Sequence, residues 1–123
     1  MARILVVDDS ATQMFTLKKI CEKHGHEVIT ANDGAAGVET AKAELPDLIL
    51  MDVVMPKLNG FQATRQITKN ASTSHIPIIL VTTKDQETDK VWGERIGAKR
   101  YVTKPVNEDL LVKNINELLS HSS

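Results

Sequence analysis

The chain has 123 residues, 41% of them hydrophobic and 25% charged, which suffices for one domain with a single core built without disulfides or a structural metal. Its 15 basic and 16 acidic residues leave a formal charge of -1 with no polybasic face, so neither nucleic acid nor anionic lipid is expected as a partner. The lone Cys21 excludes an internal disulfide, no apolar run is long enough to span a bilayer, and MARILVVDD meets charge too soon for a signal peptide; a soluble cytoplasmic protein is expected.

Strand-like and helix-like segments alternate along the chain. Ile4–Val7 has strand length, and Ser10 is placed to cap a helix whose apolar residues Met14, Leu17 and Cys21 recur at intervals of three and four. Cys21 on that stripe reads as a core thiol, and His24-Gly25 ends the helix. Val28–Ala31 is the second strand. Asn32 or Asp33 caps a second helix with Ala35, Val38 and Ala41 as its apolar face, and Pro46 follows it. Residues 46 to 56, PDLILMDVVMP, contain the third strand, Leu48–Asp52, and Asn59-Gly60 starts a helix that carries Ala63 and Ile67.

Ile78–Thr82 is the fourth strand. From Lys84 to Gly97 only Val91, Trp92 and Ile96 are clearly apolar, the pattern of a weakly anchored helix, with Trp92 either its core anchor or a partner contact. Tyr101–Thr103 is the fifth strand, and Asn107 caps a last helix marked by Leu111, Ile115 and Leu118 that ends near Leu119. His24, His26, His75 and His121 lack metal-ligand spacing and read as solvent-facing or capping residues.

Strict alternation implies parallel strands with right-handed helical crossovers and helices on both faces of an open sheet. Burial of the strands on both faces explains their continuous apolar runs. A closed eightfold barrel needs about twice this length, so the expected fold is α/β, a doubly wound (βα)5 sandwich of flavodoxin-like type with a five-stranded parallel sheet of order 2-1-3-4-5, occupying residues 1–123 as a single domain.

In such sheets ligands bind at the carboxyl ends of the strands, near the point where strand order reverses. Asp8 and Asp9 end the first strand, Asp52 the third and Thr82-Thr83 the fourth, while Lys104 follows the fifth. A lone carboxylate in an apolar run such as that around Asp52 costs several kcal/mol unless it is paired or ligated. Three carboxylates, one or two hydroxyls and an ammonium at one edge describe a hard-cation site with room for a phosphate. Each piece also has an ordinary reading: Asp8-Asp9 as a helix start favoured by the dipole, Thr82 as a strand-end hydroxyl, Lys104-Pro105 as a turn.

Taken together, VVDDS, MDVVMP, VTT and TKP, each at a strand end, resemble the receiver domain of two-component response regulators, the CheY-like family, over essentially the whole chain. The resemblance implies that Asp52 is the phosphoacceptor, a carboxylate nucleophile toward a phosphohistidine or a small acyl phosphate. It implies Mg²⁺ as cofactor, bound directly by Asp9, through water by Asp8, and by Asp52 and the backbone carbonyl of Val54. Lys104 is implied to pair with Asp52 at rest and with a phosphoryl oxygen afterwards. Thr82 is implied to bond another phosphoryl oxygen and to move on activation, Tyr101 to be the switch aromatic, and Pro105 to follow a cis peptide.

At the two variable positions that tune phosphoryl lifetime in the family this chain has Val54 and Lys84, and it has Thr83 where many members have a smaller residue. Val54 offers an attacking water no side-chain hydrogen bond, which predicts slow self-hydrolysis. No output domain is expected after the last helix, so output is expected through protein contact on the fourth helix, fifth strand and fifth helix. KLNGFQATRQIT and TTKDQETDKVWGERIGAKRYVTKPV are similar to stand-alone receivers of the chemosensory system that controls type IV pilus twitching motility. That similarity implies a chemotaxis-type histidine kinase or phosphotransfer domain as donor, a pilus motor or regulatory protein as target, and a monomer. A phosphate sink for the kinase, a phosphorylation-independent adaptor, a flavin-binding relative and a phosphotransferase or hydrolase are the alternatives. Against the last stands the absence of DxDxT, GxSxG and P-loop patterns.

Overall fold

The computed structural model describes residues 1–120; His121 and the rest of the tail lie outside the described residues. The elements run β1 (Arg3–Val7), α1 (Ala11–Lys23), β2 (Glu27–Ala31), α2 (Gly34–Glu44), β3 (Leu48–Met51), α3 (Gly60–Lys69), β4 (Ile78–Thr82), α4 (Glu87–Arg95), β5 (Arg100–Thr103) and α5 (Glu108–Ser120). The sheet is parallel, of order β2-β1-β3-β4-β5. The expected helix ends are built as the residues dictate. Ser10 accepts from the Gln13 N–H, Asp33 rather than Asn32 accepts from Ala36, Asn59 and Gln62 form a reciprocal capping box, and Asn107 accepts from Leu110.

The alternation of side chains along each strand divides the core in two. Leu5, Val7, Ile49, Met51, Ile78 and Leu80 pack with α2 and α3, whereas Ile4, Val6, Leu48, Leu50, Ile79 and Val81 pack with α1 and α5. Met14, Leu17 and Cys21 on α1 and Leu111, Ile115 and Leu118 on α5 are buried as their spacing predicts, and burial pushes the Cys21 thiol up to about 12. The face of α2 differs from expectation. Ala35 is exposed, and the buried stripe is Gly34, Gly37, Val38 and Ala41. Two glycines bring α2 close: a Cβ on Gly37 would lie 2.9 Å from Val7 Cγ2, and one on Gly34 would collide with the Leu58 carbonyl.

Helix α4 is held in the same manner. Of its own residues only Gly93 is buried, and a Cβ there would come within 2.7 Å of Leu80 Cδ1. Ile96 at its end is buried, whereas Val91 and Trp92 are exposed, so Trp92 is not a core anchor.

Register delivers the functional strand ends to one place. Val7 pairs with Ala31 on one side and with Met51 on the other, so Asp8 and Asp52 both emerge at the same edge, Asp52 one residue past the strand expected to contain it. Thr82 pairs with Thr103, which sets Lys104 immediately beyond.

Gly60 opens α3 hard against the carbonyl of Asp52, and its N–H donates to the Val53 carbonyl at 2.9 Å. Gly60→Ala therefore forces the β3–α3 connection apart, with an expected loss of about 3 kcal/mol. Gly25, at φ 87° with open space around it, carries only the left-handed backbone penalty, so Gly25→Ala loses about 1 kcal/mol. Urea unfolding of the two variants measures the contrast, and equal losses contradict it.

Candidate functional site

The carboxylate at Asp8 is fully enclosed and makes two hydrogen bonds: Oδ1 accepts from the Ser10 N–H at 2.9 Å and Oδ2 from Lys104 Nζ at 2.8 Å. Asp52 is anchored through its main chain, its N–H donating to the Val7 carbonyl at 2.9 Å. Its side chain is 8% exposed; Oδ1 accepts a long bond of 3.4 Å from the Val54 N–H, and Oδ2 lies 3.8 Å from Lys104 Nζ. Lys104, itself 7% exposed at the side chain, is held at the main chain by an N–H bond of 2.8 Å to the Thr82 carbonyl. The peptide between Lys104 and Pro105 is cis, as the resemblance implied.

The ammonium thus stands between two carboxylates, with its hydrogen bond to Asp8. The expected resting pair of Lys104 with Asp52 is present as an ion pair at 3.8 Å, and Asp8 takes the shorter, hydrogen-bonded contact. Asp8 is the more deeply enclosed acid and has no access to water, so it has the greater need of a charge-assisted donor. Asp9 is exposed, and its carboxylate makes no hydrogen bond among the described residues. One carboxylate oxygen from each of Asp8, Asp9 and Asp52 lies within 4.8 Å of the others, an all-oxygen set of the kind hard cations take.

The electrostatics follow from this crowding. Burial pushes the Asp52 carboxyl above its ordinary range, and Lys104 opposes that rise. Asp8 adds to it, and the Val54 and Val53 backbone N–H groups oppose it.

Around this cluster the remaining expected residues are distributed unequally. Thr82 is fully buried and its hydroxyl accepts from the Lys84 N–H at 3.4 Å, while Thr83 is exposed. The Val54 side chain is exposed beside the acid. Lys84 turns its ammonium to Asp89, 3.5 Å away, and its carbonyl accepts from the Tyr101 hydroxyl at 2.6 Å. The Tyr101 phenol is pushed up to about 12 by burial and by the negative charges of Asp89, Asp85 and Asp52. Val54, Met55, Asn59, Phe61, Lys84 and Asp89 help to line an open cleft of about 370 Å³ next to Asp52.

Three participants escaped the sequence reading. Gly60 was legible as a helix start, and Asn-Gly carries no sign that a main chain must pass against Asp52. Asp89 lies in the first turn of α4, where an acid is favoured by the dipole alone, and its use as the Lys84 counter-charge depends on the path of the intervening loop. Gly93 had no signal, because the spacing of apolar residues says nothing about a helix that approaches through its lack of a side chain. Among the described residues no helix is long and apolar enough to cross a membrane.

The response regulator receiver domain model matches residues 4–116. Protein PilH of Pseudomonas aeruginosa is 63% identical over 120 residues, covering 98% of this chain and 99% of that protein. Protein PilG of the same organism is 34% identical, covering 89% of this chain and 82% of its own. Among solved structures, the chemotaxis protein CheY4 of Vibrio cholerae superposes with a TM-score of 0.89 at 30% identity over 96% of this chain and 98% of that one. Sequence, fold and the acidic strand-end cluster lead to one conclusion: this chain belongs to the response regulator receiver domain family.

Proposed function

We propose that Asp52 accepts a phosphoryl group from a histidine kinase or phosphotransfer domain of the chemotaxis type, and that the modified chain signals by protein contact. One observation carries this reading. Three carboxylates converge with one ammonium, so two negative charges at the cluster are left without a counter-charge. A divalent cation would cancel that excess, and the all-oxygen donor set suits Mg²⁺. Asp9, Asp52 and the Val54 carbonyl would hold it directly and Asp8, whose two oxygens already accept hydrogen bonds, through water. When bound, Mg²⁺ would neutralise charge on the transferring phosphoryl oxygens.

The chain's own groups do the rest. An Asp52 carboxylate oxygen forms the bond to phosphorus as the donor's P–N bond breaks, and the released imidazole nitrogen takes up a proton. Lys104, 3.8 Å from Asp52, is within a small rotation of a phosphoryl oxygen and can shift toward the new charge. Thr82 supplies a hydroxyl on the neighbouring strand end and is the moving part of the switch. Its displacement toward the phosphoryl group would draw on the β4–α4 loop through the Lys84 N–H, and with it on Tyr101. The surface that changes is α4, β5 and α5.

The similarity to PilH and PilG supports a place in the chemosensory system controlling type IV pilus twitching, with a pilus motor or regulatory protein as target; the chain would act there as a cytoplasmic monomer. Residues 1–123 would then act as one receiver domain.

Incubation with Mg²⁺ and a small acyl phosphate is expected to give a single phosphoryl adduct by intact-protein mass, absent without Mg²⁺ and absent in Asp52→Asn. An adduct that persists in the variant sinks the assignment. Because Asp52 is buried beside Asp8 at a cost in desolvation, Asp52→Asn in chelator at pH 7 should melt higher than the wild type by about 3 °C or more, and added Mg²⁺ should narrow the gap by raising the wild type alone. A calorimetric melt reads both. Val54→Asn gives an attacking water a hydrogen-bond partner and is expected to shorten the adduct's half-life severalfold; an unchanged decay counts against shielding by Val54.

A further inference from the structure

Helices α3 and α4 leave an open groove between them of about 340 Å³. Its lining is Arg65, Thr68 and Lys69 from α3 and Trp92, Arg95, Ile96 and Gly97 from the end of α4. The Thr68 hydroxyl donates to the Ile96 carbonyl at 2.8 Å and so fixes the two helices to each other inside the groove. Arg65 and Lys69 are four residues apart and share one face of α3.

Three cations and no carboxylate line this groove, and none of the three forms an ion pair among the described residues. In a chain whose formal charge is -1, that concentration of one sign is local. The groove also carries apolar surface in Trp92, 44% exposed, which continues around α4 into a smaller hollow lined by Val91, 48% exposed, with Glu87, Thr88 and Arg95. Lys90 and Glu94 lie on the other flank of α4, toward β5 and Tyr101.

An occupant must therefore present carboxylates on one side and apolar side chains on the other. Arg65 and Arg95 offer planar forks that carboxylates match with two hydrogen bonds, and an exposed Trp among Arg residues is the composition of an interface anchor. A nucleic-acid strand or an anionic bilayer that extended from the groove over the apolar hollow would meet the Glu87 carboxylate at the hollow's far end. A helix with separate acidic and apolar flanks avoids that repulsion, since only its apolar flank reaches α4 there.

We propose that the α3–α4 groove docks an acidic amphipathic segment of a partner protein, its carboxylates on Arg65, Lys69 and Arg95 and its apolar side chains over Trp92 and Val91. The groove is complete in the unphosphorylated chain, so the docking does not require chemistry at Asp52.

Trp92 is the chain's single tryptophan, so its emission reports the groove directly. The experiment titrates the full chain with a helical peptide of about four turns, Leu on one stripe and Glu on the flank beside it, and with the same peptide carrying Lys in place of Glu. A saturable blue shift is expected with the acidic peptide alone. Lys69→Glu combined with Arg95→Glu is expected to weaken it at least about tenfold, with circular dichroism retained and the urea midpoint only slightly lowered, since both side chains are exposed but each is the cation in its helix's last turn; Arg65→Ala gives a milder loss in the same direction. Asp52→Asn is expected to bind as the wild type does, which separates this proposal from the phosphoacceptor reading. No saturable shift, equal binding of the basic peptide, or indifference to charge reversal overturns it. A shift produced by a single-stranded oligonucleotide or by phosphatidylglycerol vesicles, with none from the acidic peptide, overturns it in favour of nucleic acid or lipid.

Discussion

Two carboxylates can end neighbouring strands of this sheet because one ammonium is brought between them from a third. Lys104 Nζ stands 2.8 Å from Asp8 and 3.8 Å from Asp52, with all three side chains shielded from solvent. At such separations in a poorly solvated setting, removing the ammonium would leave a pair of like charges at a cost of about 3–5 kcal/mol, a large part of the stability margin of an ordinary domain. The lysine is held by its main chain, through the hydrogen bond to the Thr82 carbonyl that extends the β4–β5 ladder. The pairing of β4 with β5 therefore sets the charge balance at the ends of β1 and β3.

That balance is incomplete, and the incompleteness is useful. A structural ion-pair network would have matched its charges. Here a third carboxylate, Asp9, projects into solvent beside a pair that already shares one cation. The cluster thus carries excess negative charge that a cation could offset. Around it the groups tied most closely to Asp52 are main-chain ones: Gly60 presses on its carbonyl, Val7 accepts from its N–H and Val54 donates to its carboxylate. Such contacts fix Asp52 chiefly through its main chain and leave its second carboxylate oxygen to Lys104. On the far side, Lys84, Asp89 and Tyr101 bind the β4–α4 loop by an ion pair and a hydroxyl bond at the surface, leading to a helix whose own buried residue is a glycine. The rigid half of the site lies on β1 and β3, and the lightly held half on β4, α4 and β5.

Much of this was legible in the residues. Central strands buried on both faces read as unbroken apolar runs, and the polar residues that close them stand out for that reason. Asp8, Asp9, Asp52, Thr82 and Lys104 are legible as strand endings from the residues alone. The caps at Ser10, Asn59 and Asn107 were equally plain, because capping is chemistry between residues three apart. Reading failed where helices approach through glycine. The face of α2 was assigned to Ala35 by apolar spacing, but Gly34 and Gly37 admit closer packing against Leu58 and Val7 and rotate Ala35 outward. On α4 the same cause left Trp92 and Val91 in solvent.

The sequence by itself determined the alternation of five strands and five helices, hence a parallel sheet, and the chemistry at each strand end, since both depend on residue type and short spacing. Only the tertiary structure decided which carboxylate receives the lysine, which side of α4 faces the sheet, and that Arg65, Lys69 and Arg95 meet in one groove around Trp92. Those outcomes turn on packing distances of a few tenths of an ångström and on the competition of buried charges for one partner. Neither is carried by any single stretch of chain.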